Sequence, residues 1–248
     1  MKKFLKINDL TIIFNTILKN CHFLSGSSFF CPIAKRLYPF LLVSIPIHVI
    51  AQHPPDYNSI AFHDIISLRF DAASKNLGKS KEANPENFHT LFLENYQHFI
   101  QSAVDGDRVS YQQHKAVAAK NIEMLRNQPG DEALYYQAEI NFHSFLLALY
   151  HQENFHALKK FLQAYRQSKH FLKHADNPEP GRKLQGMILV ILSAIPEEYT
   201  WITTLIGMKG DLNRGLTILE DRMDMFEINT AEHLELLLII TFIKNMFN

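Results

Sequence analysis

From Ile60 to Phe242 the apolar residues recur three and four positions apart, and no stretch alternates with period two for long. That spacing lines one face of an α-helix with apolar side chains and predicts an all-α protein. The first helix reads Ile60, Phe62, Ile65, Ile66, Leu68, Phe70, Ala73 as one run. A second reads Phe88, Leu91, Phe92, Tyr96, Phe99, Ile100, Val104, and a third Tyr111, His114, Val117, Ala118, Ile122, Leu125. A fourth spans about Glu132 to Tyr150, a fifth about Phe155 to Lys173, and a sixth about Arg182 to Ala194. A short helix is expected from Tyr199 to Ile206, one behind an Asp211 cap through Met223, and a last one from Thr230 through Phe242.

The interruptions are as informative as the helices. Asn84-Pro85-Glu86-Asn87, Gln128-Pro129-Gly130-Asp131 and Asn177-Pro178-Glu179-Pro180-Gly181 cannot continue a helix, and Asp131 reads as an N-cap. Asp105-Gly106-Asp107 is a turn, with Gly supplying positive φ and Asp107 capping the next helix. The breaks at Pro85, Pro129 and Pro178 are 44 and 49 residues apart, and two helices fit between successive breaks. That period belongs to helical-hairpin repeats of roughly 34–47 residues. A hairpin cannot bury its apolar stripe alone, so neighbours stack and share a core. The expected architecture is an α-solenoid of stacked antiparallel hairpins.

Two segments sharpen this expectation. Ala157, Phe161 and Ala164 stand at the small–aromatic–small spacing of the second helix of a tetratricopeptide repeat (TPR). On the preceding helix, Phe145 falls where that motif has a small residue. The segment Leu192-Ser193-Ala194-Ile195-Pro196-Glu197-Glu198-Tyr199-Thr200-Trp201, followed by Leu205-Ile206-Gly207-Met208-Lys209-Gly210-Asp211-Leu212-Asn213-Arg214-Gly215-Leu216, resembles exported bacterial TPR-like proteins. It is distantly similar to the tetratricopeptide repeat protein 39 family. The resemblance implies an all-α superhelix and a role in protein contact, and it implies no chemistry. Members generally carry further hairpins beyond this segment. The apolar helix ending at Asn248 without a polar cap therefore reads as a C-terminal truncation or as a helix that needs a partner.

The first fifty residues have another character. Lys35-Arg36 precedes an apolar run through Ile50, with Val49 and Ala51 at the positions of a signal-peptidase site, so residues 1–51 read as a signal-peptide region cleaved before Gln52. A membrane anchor and a buried first helix are the alternatives. A permanent anchor needs about 20 apolar residues, and this run is shorter and holds Pro46 and His48. The stretch ahead of Lys35 reads as an over-extended start, or as a poor export signal led by Lys2-Lys3-Phe4-Leu5. Residues 1–51 hold six of the 25 basic groups and one of the 25 acidic ones, so residues 52–248 carry 19 basic against 24 acidic, a net charge of −5. Such a chain is a poor nucleic-acid ligand, because that binding rests on neutralising phosphates. Cys21 and Cys31 both lie before Gln52, so the exported part has no disulfide to form.

Candidate chemistry is sparse. His170 and His174 are four apart on one helix, but Lys169 and Lys173 would repel a cation, and the pair reads as a solvated helix end. The thirteen histidines read mostly as polar positions on exposed faces. Gly207, Gly210 and Gly215 lack the following Gly-Lys-Ser/Thr of a phosphate loop and read as tight turns and close helix contacts. Pro196 ends one helix, and Tyr199 and Trp201 read as core residues plugging the next corner, with a ligand groove as the alternative. The run Leu236–Ile243 is too short to span a bilayer.

These readings predict no catalytic residues, no metal and no cofactor. The expected function is a non-enzymatic protein–protein interaction scaffold, periplasmic or secreted, with a protein or peptide partner, no nucleic acid and no stable membrane span. The alternatives are a periplasmic enzyme or ligand-binding helical protein with a dispersed site, and a fragment with no function of its own.

Overall fold

The structure is a computed structural model in which residues 55–195, 207 and 209–247 are described. Residues Asp56–Asn248 form one compact unit. Among the described residues it holds nine helices and no strand. They are α1 (Tyr57–Ile66), α2 (Phe70–Ala83), α3 (Phe88–Asp105), α4 (Arg108–Arg126), α5 (Asp131–Tyr150), α6 (Asn154–His174), α7 (Gly181–Ser193), α8 (Leu212–Met223) and α9 (Ala231–Phe247).

Short polar side chains start several helices by accepting otherwise orphaned backbone N–H groups. The Asp56 carboxylate accepts from Asn58 and Ser59, Asn87 from Thr90, Asp107 from Ser110, and Asp211 from Arg214. Gly106 closes α3 in the left-handed region at φ 67°. Asp131 is not a cap: Gly130, at φ 112°, holds that position, and Asp131 is the first residue of α5. No Cβ-bearing residue adopts that backbone readily, which is why the cap falls one residue earlier than expected.

The single helix expected over Ile60–Ala73 is two helices. Leu68 sits at φ 59°, the Arg69 N–H reaches the Asp64 carbonyl, and the Leu68 N–H reaches the Ile65 carbonyl. This is a Schellman ending with Leu where Gly is usual. The Arg69 guanidinium locks the corner by pairing with the Asp64 carboxylate at 2.5 Å. Gln152, at φ 62°, ends α5 in the same way, with the Glu153 N–H on the Ala148 carbonyl.

Successive helices pair as α1–α2, α3–α4, α5–α6 and α7–α8, and α9 packs on α8. Odd-numbered helices also meet one another: α3 packs on both α1 and α5. The α5–α6 pair is filled by Ala138, Phe142, Phe145, Ala157, Phe161 and Ala164, joined by Leu184 and Ile188 of α7. Phe145 and Phe161 face each other with ring centres 5.0 Å apart, so the large residue in the small position meets the aromatic directly. Helices α7 and α8 touch through Gly186 and Gly215. A Cβ on Gly215 would lie 2.8 Å from the Gly186 carbonyl oxygen, and a Cβ on Gly210 would overlap the backbone of Leu192 and Ser193. Gly207 is left-handed, at φ 68°.

The last helix returns to the first. Helix α9 packs against α1, and Ala231 joins the cluster formed by Ala61, Phe62, Ile65, Phe92 and Tyr96. Its second half (Leu236, Ile240, Ile243) packs on Val190 and Leu219. No described helix is long and apolar enough to cross a membrane.

Candidate functional site

Helix α5 carries apolar residues almost all the way round, so it has to be buried on most of its surface. Glu139 and His143 lie in the middle of it, one turn apart and both buried. A charge forced into such a place requires partners. Glu139 finds Lys183 of α7, whose Nζ is 3.2 Å from its Oε2. The same Nζ lies 3.1 and 3.2 Å from the two carboxylate oxygens of Glu235 on α9. The Lys183 side chain is 9% exposed, Glu235 6% and Glu139 0%.

Aromatic rings enclose this triad. Phe92 of α3 presents its face 5.9 Å from the Lys183 ammonium, a cation–π contact. The Tyr96 hydroxyl, also on α3, donates to Glu235. Phe99 stacks on the His143 ring at 4.4 Å, and Phe92 stacks on both Tyr96 and Tyr136. Helices α3, α5, α7 and α9 therefore converge on one lysine.

Burial opposes the Lys183 charge, but Glu139 and Glu235 outweigh it and hold its pKa well above the ordinary lysine value. Burial pushes the Glu139 carboxyl up against the pull of Lys183, and the Glu235 charge adds to the rise. Burial holds His143 well below the ordinary histidine value, and Lys183 and His114 push the same way. His114, buried between α3, α4 and α5, is lowered to about 3 by burial, with His98 and Lys160 contributing.

Two clefts open elsewhere: one of about 170 Å³ beside Leu91 and Met124, and one of about 400 Å³ beside Leu189, Lys209 and Arg214. Neither is lined by the triad. Among the described residues no three His, Cys, Asp or Glu side chains are grouped to hold a metal ion.

The residues singled out from the sequence are distributed differently. Ala157, Phe161 and Ala164 are together in the core of the α5–α6 pair. Gly215 makes the close contact of α8 with α7, and Gly210, just ahead of α8, lies against the backbone at the end of α7. Pro196, Tyr199 and Trp201, and the helix expected at Tyr199–Ile206, lie outside the described residues. His170 and His174 are exposed at the end of α6 with rings 4.5 Å apart. The expectation that histidines mostly occupy exposed faces fails for His143, buried as a neutral ring stacked on Phe99, while His114, read in the apolar stripe of its helix, is buried there. The triad is not among the residues that sequence motifs single out. Its signal is present as single charges inside otherwise apolar helical runs: Glu139 in α5 and Glu235 in α9.

No family model, no curated protein and no solved structure matches this chain.

Proposed function

We propose that the protein is a non-enzymatic, exported TPR-like scaffold that binds another protein through the face shared by its alternate helices. One observation carries this reading: α1, α3 and α7, with α8, jointly hold a further helix, α9, through a buried apolar contact and one ion pair. A hairpin array that seats one helix in this way has the surface chemistry to seat another. The small–aromatic–small packing of Ala157, Phe161 and Ala164 supports the TPR-like assignment. The basic-then-apolar order before Gln52 supports export to the periplasm.

A second reading, a periplasmic ligand-binding or catalytic helical protein, draws on the convergence of Glu139, Glu235, His143 and Lys183. Lys183 pairs with both carboxylates, burial keeps His143 neutral, and none of the four lines either described cleft, so the scaffold is preferred. Affinity purification of the full chain from the bacterial envelope after mild crosslinking tests the proposal. A defined partner protein in near-equal amount, and a chain beginning near Gln52 in the periplasmic fraction, are expected. Intact Met1 in the cytoplasmic fraction overturns export. A chain recovered without a partner, turning over a small molecule, overturns the scaffold.

A further inference from the structure

Lys183 is a buried cation held by two carboxylates that come from different sources. Glu139 projects from α5, within the hairpin array, whereas Glu235 arrives on α9, the last described helix. Without α9, the array would present one ammonium over the Phe92 ring, flanked by a carboxyl that burial pushes toward its neutral form. A lone, partly compensated lysine in an apolar, aromatic surround calls for one carboxylate on an apolar body. Helix α9 has that composition: Glu235 stands among Ala231, Leu236, Ile240 and Ile243, all buried.

Three features make α9 an exchangeable occupant. Its outward side is also apolar, with Leu237 and Leu238 exposed, so the helix is not committed to one face. The connector ahead of it, Asp224–Thr230, lies at the surface, with Met225 and Ile228 exposed and Asn229 in the left-handed region at φ 71°. A buried ion pair adds little net stability, because desolvation offsets the Coulomb gain, so replacing one carboxylate-bearing helix by another is close to neutral.

We propose that the face made by α1, α3, α5, α7 and α8 is a receptor for an apolar helix of a partner protein bearing one acidic residue, that Lys183 reads that residue, and that α9 occupies the face in cis until displaced. This deepens the scaffold reading and rests on it. The partner is defined by charge complementarity: a Glu or Asp at the position of Glu235, with apolar residues three to five positions away along the same stripe.

The test uses the full chain and a fluorescein-labelled peptide of residues 229–247 with a lysine tail for solubility, made with Glu235 or with the Glu235→Gln substitution. Binding is read by anisotropy against the wild-type chain and chains carrying Glu235→Gln, Lys183→Met or Lys183→Arg, each verified as helical by circular dichroism. The Glu235→Gln chain, whose own α9 is loosened, should bind the Glu peptide on the order of tenfold tighter than the wild type does. That chain should bind the Gln peptide on the order of ten- to a hundredfold more weakly than the Glu peptide, as expected for truncating one partner of a buried charge pair. Lys183→Met should erase the discrimination and Lys183→Arg should retain it. Equal binding of the two peptides by a chain that keeps Lys183 overturns the proposal. So does failure of the folded Glu235→Gln chain to take up peptide. Light scattering that shows a dimer with exchanged α9 and no peptide uptake assigns the face to a second copy and also overturns it. In each of these cases a partner captured from the envelope and crosslinked to α1, α3 or α7 with α9 still seated would leave the scaffold standing.

Discussion

Replacing Lys183 with Met keeps an unbranched side chain one atom shorter and removes the cation that faces Glu139 and Glu235. Two buried carboxylates are then left facing each other. Breaking a buried pair in this way costs about 3–5 kcal/mol. An upper bound comes from proton binding. Holding one carboxyl protonated at pH 7, against an unfolded value near 4.3, costs roughly 3.7 kcal/mol at about 1.36 kcal/mol per pH unit. At pH 5 the same step costs about 1 kcal/mol. Burial raises the Glu139 carboxyl above its unfolded value, and without Lys183 the largest opposing pull on it is gone. Its contribution is therefore least unfavourable at low pH, and stability is lost as pH rises through the folded value. The Lys183→Met loss should thus be about 3.5 kcal/mol at pH 7 and about 1 kcal/mol at pH 5. Urea unfolding reads this directly. With a slope of about 2 kcal/mol per molar, the midpoint at pH 7 should fall by about 2 M. The double variant Lys183→Met/Glu235→Gln should recover most of the loss, since one acid is removed and an apolar side chain fills the gap. A loss below about 1 kcal/mol at pH 7, or one that is equal at both pH values, refutes the buried triad.

Further outcomes rest on the packing. Gly215→Ala should destabilise by about 1–2 kcal/mol in thermal or urea unfolding, because overpacking against the Gly186 carbonyl exceeds the helix-propensity gain of about 1 kcal/mol; a stabilised variant would contradict the close α7–α8 contact. Phe161→Ala, emptying the α5–α6–α7 core, should cost about 3–5 kcal/mol, and a midpoint close to wild type would show that this core is not formed. Because the folded pKa of His114 is about 3, below its unfolded value near 6.5, its contribution is complete above pH 6.5 and is lost as pH falls toward 3. A His114→Gln variant should lose less stability between pH 6.5 and 4 than the wild type, and parallel pH profiles would refute the burial of a neutral ring.

Local chemistry made much of this fold legible. The apolar period marks the helices from α3 onward to within a few residues, and Asp107, Asp211 and Gly106 act at the ends they mark. The failures are a matter of context. Leu68 and Gln152 adopt a left-handed backbone that their side chains do not advertise; hydrogen bonds to Asp64 and Ala148 impose it. His143 resembles a surface residue until its neighbours are known to be Phe99 and Tyr96. The Lys183 triad joins three helices distant in sequence, so no local window contains it. Its trace is a charge where helical periodicity requires an apolar residue. Trp201, read from the sequence as a corner plug, lies outside the described residues.

The central claim is that the helix array closes on itself, with the start of α9 against α1. Spin labels at two exposed positions, Ile60 on α1 and Ile228 just ahead of α9, measure this directly by electron–electron double resonance, with Cys21 and Cys31 replaced by Ser. Helices in contact lie about 8–10 Å apart, so the labelled sites should give a narrow distribution below about 25 Å. An array stacked without return would hold α1 and α9 four hairpin steps apart, about 40 Å at roughly 10 Å per step. A distribution centred there would contradict the closure, and with it the seating of Glu235 on Lys183.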